Sequence, residues 1–234
     1  MYGWRCRIGL IVPSSNTVME VEFSRFCSEE ISLHVARMPI KNVNVKELIQ
    51  MEKEASKGAE MLKDARVDII VFGCTSGSLI EGEGYDIAIQ KKLEEKTGIP
   101  VITTSTAVVE ALKAKKMTKI VVATPYTQEI NDREKNFLIK SNFEVENIKG
   151  LNILDNIKIG ALWHNAAYQL GRELLNDYPE SDGLFISCTN FKTFEVISKL
   201  SKDFQKPVVT SNQATLWNIF KKSNISEEEL SSIW

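Results

Sequence analysis

The sequence predicts an α/β fold built from two similar halves, in which each half is a parallel sheet with helices on both faces. Three observations lead to this prediction. Short β-branched runs alternate with amphipathic segments along the chain. Their order is strand, helix, strand, which is typical of right-handed crossovers in a parallel sheet. The same series of segments and landmarks then occurs a second time.

The predicted strands are β-branched runs bounded by turn residues. In the first half they lie at 8–12, 68–72 and 101–103. In the second half they lie at 119–123, 145–148, 183–187 and 207–210. The helices are predicted where apolar residues recur three and four positions apart. They are expected at 19–26, 48–62, 85–97, 127–141 and 160–176.

Three landmarks align between the halves. Pro13 precedes Cys74 by 61 residues, and Pro125 precedes Cys188 by 63 residues. Downstream, "PVIT" at 100–103 has its counterpart in "PVVT" at 207–210. Three matches in the same order favour duplication over coincidence. Ligands bind at the carboxyl ends of parallel strands, so a pseudo-twofold axis would bring the two thiols face to face across a cleft.

Composition excludes several classes of function. The chain has 234 residues, a hydrophobic content of 43% and a formal net charge of -2, with no long basic block. We therefore expect no nucleic-acid or membrane partner, and a small-molecule substrate. No apolar run approaches the roughly 20 residues that span a bilayer, and the amino terminus lacks the apolar stretch of a signal peptide. A cytoplasmic location is the expectation.

The four cysteines are candidates for chemistry rather than for metal binding. Cys6, Cys27, Cys74 and Cys188 form no CxxC pair, and the chain has only two histidines. This pattern argues against a structural zinc site, and we expect no metal and no cofactor. In a reducing compartment all four should be free thiols. The scarcity of histidine leaves few other groups that titrate near neutral pH.

A cysteine at the end of a buried strand is ordinary core filler when it occurs alone. Here both halves carry Cys-Thr followed by small polar residues, as "CTSG" at 74–77 and "CTN" at 188–190. Such turns direct backbone N–H groups and hydroxyls outward, where they can bind a carboxylate. We therefore predict that Cys74 and Cys188 act at a shared site, and that Cys6 and Cys27 are structural.

These residues resemble the aspartate/glutamate racemase superfamily, which includes hydantoin racemases, arylmalonate decarboxylase and maleate cis-trans isomerase. The motifs most similar to the maleate isomerase branch cover nearly the whole chain. They are "GLIVPSSNTVME" at 9–20, "ATPYTQEIN" at 123–131, "LDNIKIG" at 154–160, "FISCTNFKT" at 185–193 and "TSNQATLW" at 210–217. The resemblance implies two pseudo-symmetric Rossmann-like or flavodoxin-like domains with the active site in the cleft between them.

The resemblance also implies a cofactor-independent reaction that converts maleate, or a similar cis-dicarboxylate, to fumarate. Cys74 would add to one alkene carbon, and Cys188 would supply and retrieve a proton at the next. We expect the start of a helix and donated hydrogen bonds to lower the pKa of Cys74. By resemblance, the substrate-binding residues are Asn16, Thr75, Ser76, Tyr126, Asn156, Thr189 and Asn190.

Each of these donors has a simpler alternative role. Asn16 is also a favoured helix cap, Tyr126 can simply pack in a strand-to-helix turn, and Asn156 can be a turn residue after Asp155. The reaction has alternatives as well. A racemase or epimerase would use the same two thiols as acid and base, a decarboxylase needs only the second thiol, and a dicarboxylate-binding protein needs neither. Retention of both cysteines favours the isomerase over the last two.

The resemblance further implies that one domain is inserted in the other. The predicted first domain is 1–112 plus 209–234, and the second is 113–208. The returning segment has apolar residues suited to docking on the first domain, among them Ala214, Leu216 and Trp217. By the same resemblance we expect a homodimer or a larger homo-oligomer.

Overall fold

The computed structural model describes residues 2–223 and contains two four-stranded parallel sheets. The first sheet has the order β2-β1-β3-β4 and the second the order β6-β5-β7-β8. The strands of the first are β1 (Cys6–Pro13), β2 (Ile31–Met38), β3 (Ile69–Phe72) and β4 (Val101–Thr103). Those of the second are β5 (Lys119–Thr124), β6 (Glu144–Gly150), β7 (Gly183–Ile186) and β8 (Val208–Thr210). The identical strand order confirms the predicted α/β fold with two pseudo-symmetric halves.

Helices connect the strands in both halves. The first half contains α1 (Met19–Ser24), α2 (Val45–Asp64), α3 (Thr75–Leu79), α4 (Tyr85–Thr97) and α5 (Thr104–Ala114). The second contains α6 (Gln128–Lys140), α7 (Asn156–Ala161), α8 (His164–Asp177), α9 (Phe194–Phe204) and α10 (Ser211–Lys222). By position between strands, α1 corresponds to α6, α4 to α9 and α5 to α10.

One strand was not predicted, and one predicted helix is interrupted. The sequence indicated no strand at 31–38, where β2 forms the edge of the first sheet and half of its residues are only partly buried. The predicted helix at 160–176 is two helices, because Leu162 leaves the helical conformation at ψ 140 and Trp163 caps α8 in an extended conformation. The apolar spacing continues across this break, which is why periodicity alone did not reveal it.

The core fills the space on both sides of each sheet. Along β1, Ile11 belongs to one buried cluster, whereas Leu10 and Val12 belong to another. Each cluster also contains residues of the second sheet, such as Val121 in the first and Val122 in the second. Parallel strands buried on both faces read as the near-continuous apolar runs seen in the sequence.

The helix α10 returns to the first half. It packs against α5, its counterpart in the first half, and Thr210 and Gln213 form a capping box at its start. The predicted boundary between residues 208 and 209 falls inside β8, which pairs with β7 of the second sheet. Residues 224–234 of the predicted first domain lie outside the described residues. The domain boundaries stay a prediction.

Candidate active site

The two predicted thiols lie at equivalent places in the two halves. Cys74 follows β3, which pairs with β1, and Cys188 follows β7, which pairs with β5 in the same way. Both are almost completely buried, with 5% of each residue exposed. The Thr189 hydroxyl donates a hydrogen bond of 3.2 Å to the carbonyl of Gly73, so the two cysteine turns touch. The structure therefore brings the two thiols to one site, as the duplication predicts.

The first-half sulfur is held against the start of α3. Cys74 has an extended backbone, with φ −147, and caps this short helix with its side chain. Its Sγ accepts a hydrogen bond from the Gly77 N–H at 3.3 Å and lies 3.8 Å from the Ser76 hydroxyl. A Cβ at Gly77 would lie 3.0 Å from the sulfur and 2.8 Å from Met51 Cε. Glycine at this position therefore allows the close approach of N–H and sulfur.

The second-half sulfur has a different backbone. Cys188 has a φ of 105, in the left-handed region that residues other than glycine rarely adopt. Such conformations cost about 1–3 kcal/mol and persist where surrounding contacts hold them. The Asn190 N–H donates to Sγ at 3.3 Å, and the Tyr126 hydroxyl also hydrogen-bonds to this sulfur. The two halves thus share a topology but differ at the cysteine itself.

The predicted lowering of the Cys74 pKa is wrong. Burial raises the pKa of Cys74 from 9.0 to about 11, although the Gly77 N–H and Ser76 hydroxyl act in the opposite direction. Burial likewise raises the pKa of Cys188 to about 12, opposed by Tyr126 and the Asn190 N–H. Desolvation of a thiolate outweighs two hydrogen bonds here. Both thiols are therefore protonated at neutral pH.

Asn16 both caps α1 and connects the two halves. Its Oδ1 accepts hydrogen bonds of 3.0 Å from the N–H groups of Val18 and Met19. Its Nδ2 donates to the Thr189 hydroxyl at 3.0 Å. The capping role and a position at the site therefore coexist, because the amide oxygen serves the helix while the amide nitrogen reaches Thr189 beside Cys188.

Asn156 and Asn190 form the other connection between the halves. The Asn156 Nδ2 donates to the Ser15 hydroxyl at 2.8 Å, and the Asn190 Nδ2 donates to the Asn156 carbonyl at 2.7 Å. The Asn190 Oδ1 accepts the Thr17 N–H at 2.9 Å. A Cβ at Gly160 would lie 2.9 Å from that oxygen, which explains the glycine of the "LDNIKIG" motif. The Asn190 side chain is therefore engaged by protein groups.

The loops after β2 and β6 also meet across the halves. The Val43 N–H donates to the Leu154 carbonyl at 2.8 Å, and the Asn156 N–H donates to the Lys41 carbonyl at 3.1 Å. These loops occupy equivalent positions in the duplicated fold, since β2 and β6 are the corresponding edge strands. The backbone bonds fix Asn156 relative to the first half.

Sequence reasoning missed two buried glutamates, Glu22 and Glu134. Each lies nine residues after the landmark proline of its half, Pro13 or Pro125. Burial raises the pKa of each carboxyl from 4.5 to about 7. Both occupy the apolar face of their helix, and a charged residue at such a position is the signal that could have revealed them.

The surroundings of the two glutamates differ. Glu22 accepts hydrogen bonds from the Thr193 N–H at 2.9 Å and the Asn212 amide at 2.6 Å, which fasten α1 to the start of α9 and to α10. Glu134 Oε1 accepts a 2.5 Å bond from the Ser187 hydroxyl, beside Cys188. Its Oε2 has no hydrogen-bond partner among the described residues. A negative charge on Glu134 would raise the pKa of Cys188, to which it couples electrostatically.

Residues 2–223 hold no cluster of metal ligands and no membrane-spanning helix, and the two histidines lie on β2 and α8. In this range no group of three or more His, Cys, Asp or Glu side chains could hold a metal ion. His34 lies on β2, where its Nε2 is 3.0 Å from the Ser32 hydroxyl, and His164 begins α8 on the exposed surface. Across the same range, no helix is long and apolar enough to cross a membrane.

The molecule is thus a duplicated α/β protein with a buried thiol at each of two equivalent strand ends. The chain belongs to the arylmalonate decarboxylase family, which matches residues 8–231. The resemblance to the maleate isomerase branch of the racemase superfamily is confirmed. A maleate isomerase of Pseudomonas putida is 32% identical over 92% of this chain and 90% of its own length. The prediction of an isomerase is confirmed by this and by other maleate isomerase relatives.

An arylmalonate decarboxylase and a solved isomerase structure are also similar to this chain. An arylmalonate decarboxylase of Bordetella bronchiseptica is 23% identical over 90% of this chain and 88% of its own length. Among solved structures, a mutant of the Nocardia farcinica maleate cis-trans isomerase with a covalently bound succinylcysteine intermediate has a TM-score of 0.89. It is 23% identical and covers 94% of this chain and 93% of its own. This likeness shows the shared fold.

Proposed function

We propose that the protein is a cofactor-independent cis-trans isomerase that converts maleate, or a similar small cis-dicarboxylate, to fumarate. The observation that carries the proposal is the pair of buried thiols, Cys74 and Cys188, at equivalent strand ends of two halves that touch. The maleate isomerase relatives and the succinylcysteine in the Nocardia farcinica neighbour support covalent chemistry at a cysteine.

In the proposed reaction, the Cys74 sulfur forms a bond to one alkene carbon while Cys188 gives its proton to the other. The proton that Cys74 loses replaces the one that Cys188 gives up. The pair thus adds one S–H group across the double bond, and two protonated thiols need no external base. The remaining single bond rotates. Cys188 then removes a proton from the carbon and passes its own proton to Cys74 as the carbon–sulfur bond breaks, and the trans product leaves.

Neutral donors would bind the two carboxylates. The N–H groups of Thr75 and Ser76 are in the first turn of α3, where no intrahelical acceptor is available. Asn16 and Asn156 each use one amide hydrogen on a protein acceptor, which leaves the second for substrate. In this proposal Tyr126 turns its hydroxyl hydrogen from the Cys188 sulfur to a substrate carboxylate. Such preformed donors stabilise the charge that develops on a carboxylate when the adduct forms.

The remaining predicted donors take supporting roles in this proposal. The hydroxyls of Thr75 and Thr189 donate to Ser211 and to the Gly73 carbonyl, so only their N–H groups are candidates for substrate. The Asn190 side chain bonds to the Asn156 carbonyl and to the Thr17 N–H. We propose that it holds the cleft together rather than contacting the dicarboxylate.

Proton NMR of the protein with maleate tests the proposal, because the alkene signals of maleate and fumarate are separate. We expect fumarate to accumulate without any added cofactor. Cys74→Ser should abolish turnover, whereas Cys27→Ser, which alters a half-buried thiol outside the site, should not. Racemisation of an acidic amino acid, or loss of carbon dioxide from an arylmalonate, would favour an alternative reaction. Binding of maleate without any turnover would favour a dicarboxylate-binding protein.

We also propose that the enzyme self-associates as a homodimer or larger and works in the cytoplasm. The four free thiols support the location, because a reducing compartment keeps them reduced. Sedimentation velocity over a range of concentrations measures the assembly. A single monomer species at all concentrations would overturn the oligomer.

A further inference from the structure

The hydroxyl of Ser211 lies between the two cysteine turns. Ser211 is the first residue of α10 and is fully buried. Its Oγ accepts a hydrogen bond from the Cys188 N–H at 3.0 Å and another from the Thr75 hydroxyl at 2.9 Å. One oxygen therefore joins the backbone of the second-half cysteine to the residue that follows the first-half cysteine.

The first half provides an internal comparison. Thr103 and Thr210 are the caps of α5 and α10, so Thr104 and Ser211 are equivalent. The Thr104 hydroxyl donates to the Phe72 carbonyl at 3.3 Å and does not receive the N–H of Cys74. That N–H bonds to the same carbonyl at 3.1 Å. The first-half cysteine is thus held by its own strand.

The backbone conformations of the two cysteines differ in parallel with the hydrogen-bond partners of their N–H groups. Cys74, whose N–H stays with β3, has a φ of −147. Cys188, whose N–H goes to Ser211, has a φ of 105. A left-handed cysteine persists only where contacts hold it. In this conformation its sulfur hydrogen-bonds to Tyr126 and accepts the Asn190 N–H.

We propose that Ser211 is a positioning residue that holds Cys188 in its left-handed conformation and, through Thr75, sets the placement of the two thiols relative to each other. The effect on turnover rests on the proposed function of Cys188 as proton donor. The effect on the conformation of Cys188 does not. The serine in the "TSNQ" start of α10 then has a chemical reason, because it acts on the thiol rather than on substrate.

The test compares three variants of the full chain. Ser211→Ala removes the acceptor. Ser211→Thr keeps a hydroxyl, and the equivalent position already holds Thr104. Thr215→Ala is the matched control, since it deletes a buried hydroxyl that donates to the Ser211 carbonyl at 2.8 Å and touches neither cysteine turn.

Two measurements are made on each variant. The first is the rate at which iodoacetamide alkylates Cys188, read by peptide mass spectrometry; we expect an increase of about fivefold or more for Ser211→Ala as the turn opens. The second is steady-state turnover of maleate. We expect kcat to fall about tenfold with KM within about twofold, because a displaced proton donor affects the transition state more than binding. Ser211→Thr should restore both values, and Thr215→Ala should change neither.

The outcomes separate the two proposals. If the unaltered protein does not isomerise maleate, the proposed function fails, and the alkylation rates still test Ser211. If Ser211→Ala matches Thr215→Ala in both measurements, the inference about Ser211 is overturned. Should Ser211→Ala fail to fold, Thr75→Val removes the other bond at nearly constant volume. It must then show the same two changes in smaller degree, and their absence would overturn the inference as well.

Discussion

The buried carboxyl of Glu134 makes the stability of the protein depend on pH. Its folded pKa is about 7, because burial disfavours the charged form, whereas the pKa in the unfolded chain is near the ordinary value of 4.5. Below pH 4.5 both states are protonated and the group is neutral to stability. Between pH 4.5 and 7 the unfolded state has released the proton and the folded state has kept it. The free energy of unfolding therefore falls as pH rises through this window.

The size of this effect follows from the two pKa values. A rise from 4.5 to about 7 corresponds to a loss of about 3 kcal/mol above pH 7, since each pH unit is worth about 1.4 kcal/mol. Most of the loss falls between pH 5 and pH 8. Glu22, whose folded pKa is also about 7, adds a contribution of the same sign. The contribution of Glu134 and Glu22 to the free energy of unfolding is therefore most favourable on the acidic side of neutrality.

The variant Glu134→Gln isolates one contribution. Glutamine mimics the neutral carboxylic acid and can still accept the Ser187 hydroxyl. We expect the variant to lose roughly half as much unfolding free energy between pH 5 and pH 8 as the unaltered protein, the remainder coming from Glu22. Urea denaturation at each pH, with equal m-values, measures this. Glu129→Gln removes an exposed carboxylate from the same helix and serves as the control. Equal losses for Glu134→Gln and the unaltered protein would refute the reasoning.

Three further changes concern the proposed reaction. Cys188→Ala should let a succinyl adduct accumulate on Cys74, because solvent can slowly supply the proton that Cys188 normally gives but no base remains to remove it again. Mass spectrometry detects the adduct, and an adduct on another cysteine would contradict the assigned roles. Tyr126→Phe should lower kcat about tenfold, because it removes a donor beside Cys188; unchanged kinetics would reduce Tyr126 to packing. Gly77→Ala should lower kcat, because its Cβ would press on the Cys74 sulfur. A thermal melt should show a loss of stability of only about 1–3 kcal/mol. Unchanged turnover would show that the present position of the sulfur is not required for the reaction.

The duplication could be predicted because parallel strands buried on both faces leave a strong signal. Runs such as Ile69–Phe72 and Gly183–Ile186 are continuous, apolar and placed at matching distances from a proline. The edge strand β2 lacks this signal. Its middle residues are only partly buried, so His34 and Ser32 interrupt the apolar pattern. Edge strands are constrained on fewer sides, which makes their composition less informative.

Some residues of the candidate site could be predicted from the sequence, and others could not. Cys74 and Cys188 could be found because a repeat places them at the carboxyl ends of equivalent strands. Ser211 could not be found from spacing, since its partners are distant in the sequence and one of them is the backbone of Cys188. The pKa values were misjudged for a related reason. Helix starts and N–H donors are visible in a sequence, but the burial that outweighs them depends on how two halves close together.

The departures from symmetry carry more chemical information than the symmetry. A perfect duplication would give two equivalent thiols, and nothing would distinguish a nucleophile from a proton donor. Here Cys74 is extended and capped into a helix beside Gly77, with the smaller rise in pKa, to about 11. Cys188 is left-handed and bonded through its N–H to Ser211, and burial raises its pKa to about 12, with smaller contributions from Cys74 and Glu134. These differences in backbone and hydrogen bonding make the two thiols chemically distinct, as a reaction with one nucleophile and one proton donor requires. The division of roles proposed for the two cysteines therefore depends on the residues at which the two halves differ.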